Sequence, residues 1–441
     1  MEKNTKFNGL VTDINDDGDG VVKFNGEVIF VPNVWINEEV EGIIINAKNK
    51  FAIGKAIQIK NESTSRVTPP CPYFSSCGGC TIQHVNYESQ LAFKKEKLTR
   101  IFKRIANIDI TPENVVASAN LRYRNKISLP VNENQEIGLF RKNSHNIIEV
   151  DDCIISKNWV KTLINAIKEF MSENNISGYN EATKTGLVKH IVAREVSDAV
   201  LITVVINGDA LPHSDKLINK LKTIFTNFGL NININKLHNN VILGDSFKHI
   251  YGLTELISND HGITYPVTNA SFLQVNENIA NQIYDKVLSI IQPEDIVVNA
   301  YSGAGLLTAR IAKVAKLAYG IEIIKDATES ANTLAKNNNI SNMINICGDC
   351  TKEIPKLLKN GLTNHLVVVD PPRKGCDNAV LEAIVKSNPR KIIYISCNPS
   401  TLARDVKTII DSNLFEIENI TPFDMFPHTA HLESVVCLKQ K

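Results

Sequence analysis

Residues 6–60 alternate apolar and polar positions in short runs broken by turn residues, the two-residue period of strands with one buried face. Gly9-Leu10-Val11-Thr12, Val21-Val22-Lys23-Phe24 and Glu27-Val28-Ile29-Phe30-Val31 are such runs, and Asp16-Asp17-Gly18-Asp19-Gly20 separates the first two. Asn25-Gly26 joins the second to the third and signals a hairpin, because both residues tolerate positive φ. Closely spaced strands in so short a segment predict a small barrel of the oligonucleotide-binding kind, or a β module that only mediates protein contacts.

The pattern then changes twice. Residues 61–85 are irregular and rich in Pro, Cys and Gly, and a helical period follows from Tyr87 to Ile105. Residues 121–255 mix the apolar run Ala199 to Ile206 with a helical stretch from Trp159 to Met171, which predicts an α+β unit. From 256 onward, strand-like runs at Ile296–Asn299, Leu317–Ile321, Leu366–Val369 and Lys391–Ile395 alternate with helices such as Leu306–Val314. That alternation predicts an α/β architecture with a doubly wound, mostly parallel sheet. The expected domains are 1–60, 61–255 and 256–441, with the helix near 87–105 packing on the last. A chain of 441 residues exceeds one hydrophobic core and agrees with roughly three domains.

Charge is balanced overall, 48 basic against 47 acidic residues, which excludes a polycation that grips nucleic acid in bulk. Its distribution is uneven: residues 1–60 carry 7 basic and 9 acidic side chains, residues 61–150 carry 12 and 8. A phosphate-binding face is therefore expected to involve the second segment. Lys94, Lys95, Lys97, Arg100, Lys103 and Arg104 fit such a face and fit equally a solvated helix surface. No apolar stretch approaches the roughly 18 residues of a membrane span, and Met1 to Lys6 lacks the apolar core of a signal peptide. The expectation is a cytoplasmic monomer without a membrane partner. Nine cysteines, an odd number in a reducing compartment, read as metal ligands, catalytic thiols or filler.

The candidate chemistry gathers at the predicted strand ends. Asn299-Ala300-Tyr301-Ser302-Gly303-Ala304-Gly305 joins a strand to a helix, and its glycines let a ligand approach the turn. Glu322 ends the next strand, where a carboxylate can bind both ribose hydroxyls of an adenosine-containing cofactor. The run lacks the third glycine of the dinucleotide fingerprint, which favours S-adenosyl-L-methionine. Asp370-Pro371-Pro372 ends a further strand, and Arg373 stands where amine methyltransferases carry a stacking aromatic residue. Cys397, just past Lys391 to Ser396 and before Asn398-Pro399, is placed for chemistry rather than for filling a core.

Three thiols cluster in Cys71-x5-Cys77-Gly78-Gly79-Cys80, and Cys153 supplies a distant fourth. By spacing alone this set suits zinc or an iron–sulfur cluster. Cys347-x-x-Cys350 has no second pair, so coincidence is the better reading.

Asp370 to Gly375, Ile395 to Pro399 and Asp424 to Glu433 together resemble the RNA 5-methyluridine methyltransferase family. Phe272-x-Gln274-x-Asn276, Arg122-Tyr123-Arg124-Asn125-Lys126 and residues 6–60 match that family's Phe-x-Gln-x-Asn element, basic motif and TRAM barrel, so the resemblance covers nearly the whole chain. It implies a class I methyltransferase sheet with Cys397 as nucleophile toward carbon 6 of uracil and Glu433 as the base that removes the carbon 5 proton. It further implies S-adenosyl-L-methionine held by Gln274, Tyr301, Gly303, Gly305, Glu322, Asp349 and Asp370. Phe272, Arg122, Arg124 and Lys126 are the implied substrate contacts, although core packing is the ordinary fate of a residue such as Phe272. For Cys71, Cys77, Cys80 and Cys153 the resemblance favours a [4Fe-4S] cluster, as in the ribosomal-RNA branch. The leading expectation is methylation of 23S ribosomal RNA, with transfer RNA as the alternative substrate. A non-catalytic, metal-stabilised RNA-binding or assembly factor would need neither Cys397 nor Glu433.

Overall fold

The short strands at the amino terminus close on themselves. In the computed structural model, which describes residues 1–441, β1 (Lys6–Ile14), β2 (Gly20–Phe24), β3 (Glu27–Val31), β4 (Glu39–Ala47) and β5 (Phe51–Ile59) form a barrel of order β1-β2-β3-β5-β4. Asn25 and Gly26 turn the β2–β3 hairpin with φ of 51° and 79°. Phe7, Val11, Val22, Ile29 and Ile44 fill the barrel. Side chains at Gly42 or Gly54 would run into the Phe7 ring.

α1 (Tyr87–Ile101) starts at an Asn86 cap and runs into a π-helical turn (Phe102–Ala106). Its Leu98 and Ile101, together with Phe102, pack into the core beneath the carboxyl-terminal sheet. Between the two lies a mixed sheet of order β12-β11-β10-β9-β6, built from β6 (Lys126–Pro130), β9 (Val188–Val196), β10 (Ala199–Ile206), β11 (Phe228–Ile234) and β12 (Ser246–Gly252). Helices α2 (Trp159–Glu173) and α3 (Ser214–Lys222) share its core. Two hairpins complete this region, β7 (Gly138–Phe140) with β8 (Ile147–Glu149) and β13 (Leu256–Asp260) with β14 (Ile263–Val267).

The carboxyl-terminal sheet has seven strands. They are β15 (Ile296–Ala300), β16 (Leu317–Glu322), β17 (Met343–Cys347), β18 (His365–Val369), β19 (Lys391–Ser396), β20 (Phe415–Phe423) and β21 (Glu433–Gln440), in the order β17-β16-β15-β18-β19-β21-β20. The first five run parallel, and β21 enters antiparallel between β19 and β20. Helices α4 (Glu277–Leu288), α5 (Leu306–Ala312), α6 (Lys325–Asn337), α7 (Cys350–Lys359), α8 (Asn378–Lys386) and α9 (Pro399–Ile410) cover both faces. Every residue of β18 is buried, the reason Leu366–Val369 form a continuous apolar run rather than an alternating one. No helix is long and apolar enough to cross a membrane.

Candidate active site

β19 ends at Ser396, and the chain turns at once into α9. Asn398 caps that helix, its Oδ1 accepting from the Ser400 amide at 3.0 Å, while Pro399 supplies a preset φ at the first helical position. The Ser396 hydroxyl bonds across the turn, donating to the Asn398 carbonyl at 3.2 Å and accepting from the Asn398 amide at 3.1 Å. Cys397 is the residue between them, half-buried. Asn398 Nδ2 and Thr401 Oγ1 also donate to the Arg373 carbonyl, at 3.2 and 3.3 Å, which ties this turn to the Asp370–Gly375 loop.

Strand register brings in the carboxylate. Ser396 in β19 faces Ser434 in β21, so in an antiparallel pair the next step sets Cys397 beside Glu433. Glu433 is 5% exposed. Burial and the neighbouring Asp370 push its carboxyl up to about 8, against the pull of Arg373. Burial raises the Cys397 thiol as well, Glu433 and Asp370 reinforce that rise, and Arg373 opposes it. Thiol, guanidinium and two carboxyls thus occupy one electrostatic neighbourhood. Asp370 is pushed up to about 7 by the mass of protein around it. The residue is nevertheless exposed, so solvent screens its carboxyl in part.

The glycine-rich turn lies at the end of β15, next to β18. Tyr301, Gly303 and Gly305 all have positive φ, at 60°, 55° and 87°. A Cβ on Gly305 would meet Ala331 Cβ at 2.6 Å and Met343 Cε at 2.8 Å, so only glycine fits there. Gly303 faces open space, and its amide donates to Glu322 Oε2 at 3.0 Å. Glu322 Oε1 accepts from the Ile324 amide at 2.9 Å, and Ile323 and Ile324 stand exposed beside it. Asp349 caps α7 through the Thr351 amide and hydroxyl, both at 2.8 Å, which holds its carboxyl below the ordinary range. An adenosine group fits this cleft: a carboxylate ends the second strand, exposed apolar side chains flank it, and an uncrowded glycine lines the turn.

Gln274 sits in the loop before α4, where its carbonyl accepts from Asn125 Nδ2 at 3.2 Å and the Val275 carbonyl accepts from the Asn125 amide at 2.9 Å. Phe272 in the same loop is 89% exposed, the opposite of the core position ordinary for its residue type. The basic motif is spent largely on the protein itself. Arg122 forks onto Asp152 at 3.0 and 2.6 Å and donates to the Cys153 carbonyl at 3.2 Å; Arg124 Nε donates to the Lys126 carbonyl at 3.1 Å. Lys126 Nζ donates to the Asn269 carbonyl at 2.7 Å, and burial brings its ammonium down to about 8.

Cys71, Cys77, Cys80 and Cys153 are unpaired thiols drawn from two segments. Each of the first three is raised by burial first and then by its neighbours, Cys80 to about 12 with contributions from the other three. An all-thiol donor set in one neighbourhood suits a soft metal or an iron–sulfur cluster in kind. No three His, Cys, Asp or Glu groups of the chain close around a single metal ion in this geometry.

What the sequence reading missed is how the strap 424–432, which leads into Glu433, is held. Buried Lys94 pairs with buried Asp424 and donates to the Phe426 carbonyl at 3.2 Å. Gln90 Oε1 accepts from the His428 amide at 3.0 Å, Lys97 Nζ donates to the Ala430 carbonyl at 3.0 Å, and the Thr81 amide donates to the His428 carbonyl at 2.8 Å. Asn276 Nδ2 reaches the Met425 carbonyl at 3.2 Å and the Tyr123 hydroxyl the Pro427 carbonyl at 3.3 Å. The signal was present in the chain, since Gln90, Lys94, Lys97 and Ile101 follow helical spacing on one face. Of the other α1-region cations, Lys95 bonds Asn114, Arg100 pairs with Asp13, and Lys103 pairs with Asp109. Lys94 and Lys97 are internal, so the solvated-surface reading fails for these two.

Two cavities lie elsewhere, one of about 260 Å³ between residues 108–111 and β20, the other of about 710 Å³ around Trp159 and residues 223–227. Neither is lined by Cys397 or Glu433.

The sequence pattern of the tRNA (uracil-5-)-methyltransferase family matches residues 86–441. An uncharacterized RNA methyltransferase of Staphylococcus epidermidis (strain ATCC 12228 / FDA PCI 1200) is 39% identical over 452 aligned positions, covering 100% of this chain and 99% of the relative. One from Staphylococcus aureus (strain COL) is 36% identical over the same coverage. The crystal structure of Pyrococcus abyssi tRNA (uracil-54, C5)-methyltransferase with S-adenosyl-L-homocysteine superposes with a TM-score of 0.78 at 29% identity, covering 98% of this chain and 99% of that one. Fold, cleft and relatives define the class as S-adenosyl-L-methionine-dependent RNA methyltransferases. Within it, the chain belongs to the tRNA (uracil-5-)-methyltransferase family.

Proposed function

We propose that this enzyme methylates carbon 5 of uracil in 23S ribosomal RNA, with Cys397 as nucleophile and Glu433 as base. The observation that carries the reading is the β19–β21 register, which sets a thiol and a buried carboxylate side by side at strand ends. When bound, S-adenosyl-L-methionine supplies an electrophilic methyl group. Gln274, Tyr301, Gly303, Gly305, Glu322, Asp349 and Asp370 would hold it at the open edge of a class I methyltransferase sheet, and exposed Phe272 would stack on the extracted base.

The chain's own residues do the rest. The Cys397 thiol releases its proton to solvent, the resulting thiolate adds to carbon 6, and the electron pair of the carbon 5–carbon 6 double bond moves into an enolate that makes carbon 5 nucleophilic. After methylation, Glu433 takes the remaining carbon 5 proton. The electrons of that C–H bond restore the double bond and expel the Cys397 sulfur. It must be ionised to do so, and a carboxylate whose pKa burial raises to about 8 is, once ionised, a stronger base toward that proton than an ordinary carboxylate.

In this reading residues 6–60 act as a TRAM barrel for RNA, and Cys71, Cys77, Cys80 and Cys153 would hold a [4Fe-4S] cluster that would order a loop contacting RNA. The barrel and the four-thiol set favour ribosomal RNA. The Pyrococcus abyssi likeness supports transfer RNA as a second reading. Labelled methyl donor offered with unmodified 23S or transfer RNA separates them. Label mapped to 5-methyluridine in 23S RNA is the expected product, and label confined to transfer RNA overturns the substrate. Stoichiometric iron and sulfide in anaerobically purified protein are expected; zinc in their place overturns the cluster.

A further inference from the structure

Lys97 looks from the sequence like one more cation on a basic helix, yet it is only 5% exposed. Its ammonium has two partners. It donates to the Ala430 carbonyl at 3.0 Å, and it pairs with Asp16 at 2.6 Å in the turn between β1 and β2. Asp16 belongs to the barrel and is itself 69% exposed at the side chain. The turn is wedged in place: a Cβ on Gly18 would collide with the Thr81 side chain, and Lys142 pairs with Asp19 at 2.6 Å. The adjacent Thr81 amide in turn holds the His428 carbonyl.

Ala430 lies three residues before Glu433, in a stretch with no ladder of its own. The direction in which the chain enters β21 therefore depends on the groups that hold its carbonyls. A charge-assisted bond from a nearly buried ammonium is among the strongest of these. Lys94 secures the start of the strap at Asp424 and Phe426, and Lys97 secures its end beside the carboxylate.

We propose that Lys97 is a positioning residue for Glu433, fastening the strap to the amino-terminal barrel through Asp16. The proposal rests on the reading of Glu433 as the base, and it assigns Lys97 to proton removal and release rather than to methyl transfer. Lys97→Met keeps the length of the side chain and removes the donor. In single and multiple turnover with labelled methyl donor and RNA substrate, this variant should methylate at the wild-type rate in the first turnover. Later turnovers should be about tenfold slower, with a labelled protein–RNA adduct accumulating, because one charge-assisted bond is lost. Asp16→Asn, a surface change that carries the test where Lys97→Met does not fold, should shift release the same way by about two- to threefold. Release at the wild-type rate in both variants, or equal slowing of methyl transfer and release, overturns the proposal. Glu433→Gln run alongside identifies where a failure lies. With adduct in that variant and none in the other two, Lys97 is not involved; with none in any of the three, the base assignment itself falls, and the proposal with it.

Discussion

Cys397 and Glu433 stand side by side at neighbouring strand ends, but they are held there by different means. The turn that carries Cys397 is made by its own neighbours: Ser396, Asn398, Ser400 and Thr401 satisfy one another within six residues, and one loop carbonyl, at Arg373, completes the set. The strap that leads to Glu433 has few internal bonds and takes its partners from Thr81, Gln90, Lys94, Lys97, Tyr123 and Asn276, as far as 347 positions away. The nucleophile is placed by local sequence, the carboxylate by tertiary contact. Mutations near the first should alter chemistry with little cost in stability, whereas mutations at the partners of the second should do both.

The largest contrast comes from Cys397→Ala. Methyl transfer should fall roughly 10⁴-fold or more while the melting temperature holds, since the turn survives without the thiol. Turnover above one-tenth of wild type would break the distinction on its local side. Lys94→Met strands the buried Asp424 carboxylate and should cost about 3–5 kcal/mol in denaturant unfolding, and pairing it with Asp424→Leu should recover most of that loss. A single variant as stable as wild type would remove the long-range clamp from the account.

The pH dependence of Glu433→Gln is smaller. The folded carboxyl is raised from 4.5 to about 8, so between those values the folded state keeps a proton that the unfolded state has released. This group's contribution to stability therefore falls as pH rises across that window. The glutamine variant carries no such proton, and its unfolding free energy should gain on that of wild type from pH 5 to pH 9, by an amount on the order of 3 kcal/mol. Parallel melting curves over that range would show the carboxylate to be solvated. The smallest effect belongs to the local turn: Asn398→Ala removes a helix cap and should cost about 1 kcal/mol, read by chemical denaturation.

The same division explains what was legible in the sequence. The Asn25-Gly26 hairpin, the glycine-rich turn at 303–305, Glu322 at the end of its strand and Cys397 after an apolar strand all depend on neighbours in the chain, and the periodicity exposes them. β20 and β21 went unread because residues 424–433 look like a motif rather than the crossing between two strands. Lys94 and Lys97 look like surface residues in the sequence because an ammonium is ordinarily solvated, and the strap groups that receive them, at Asp424, Phe426 and Ala430, lie more than 300 positions away. Phe272 stands out into solvent from a loop pinned by Asn125 and Lys126, a placement no local pattern encodes.

The central claim is that Cys397 and Glu433 act on one uracil from adjacent strand ends. Glu433→Gln, incubated with labelled methyl donor and unmodified RNA and resolved under denaturing conditions, should yield a band containing protein, RNA and the transferred methyl group together. Wild-type turnover by that variant, with no such band, would contradict it.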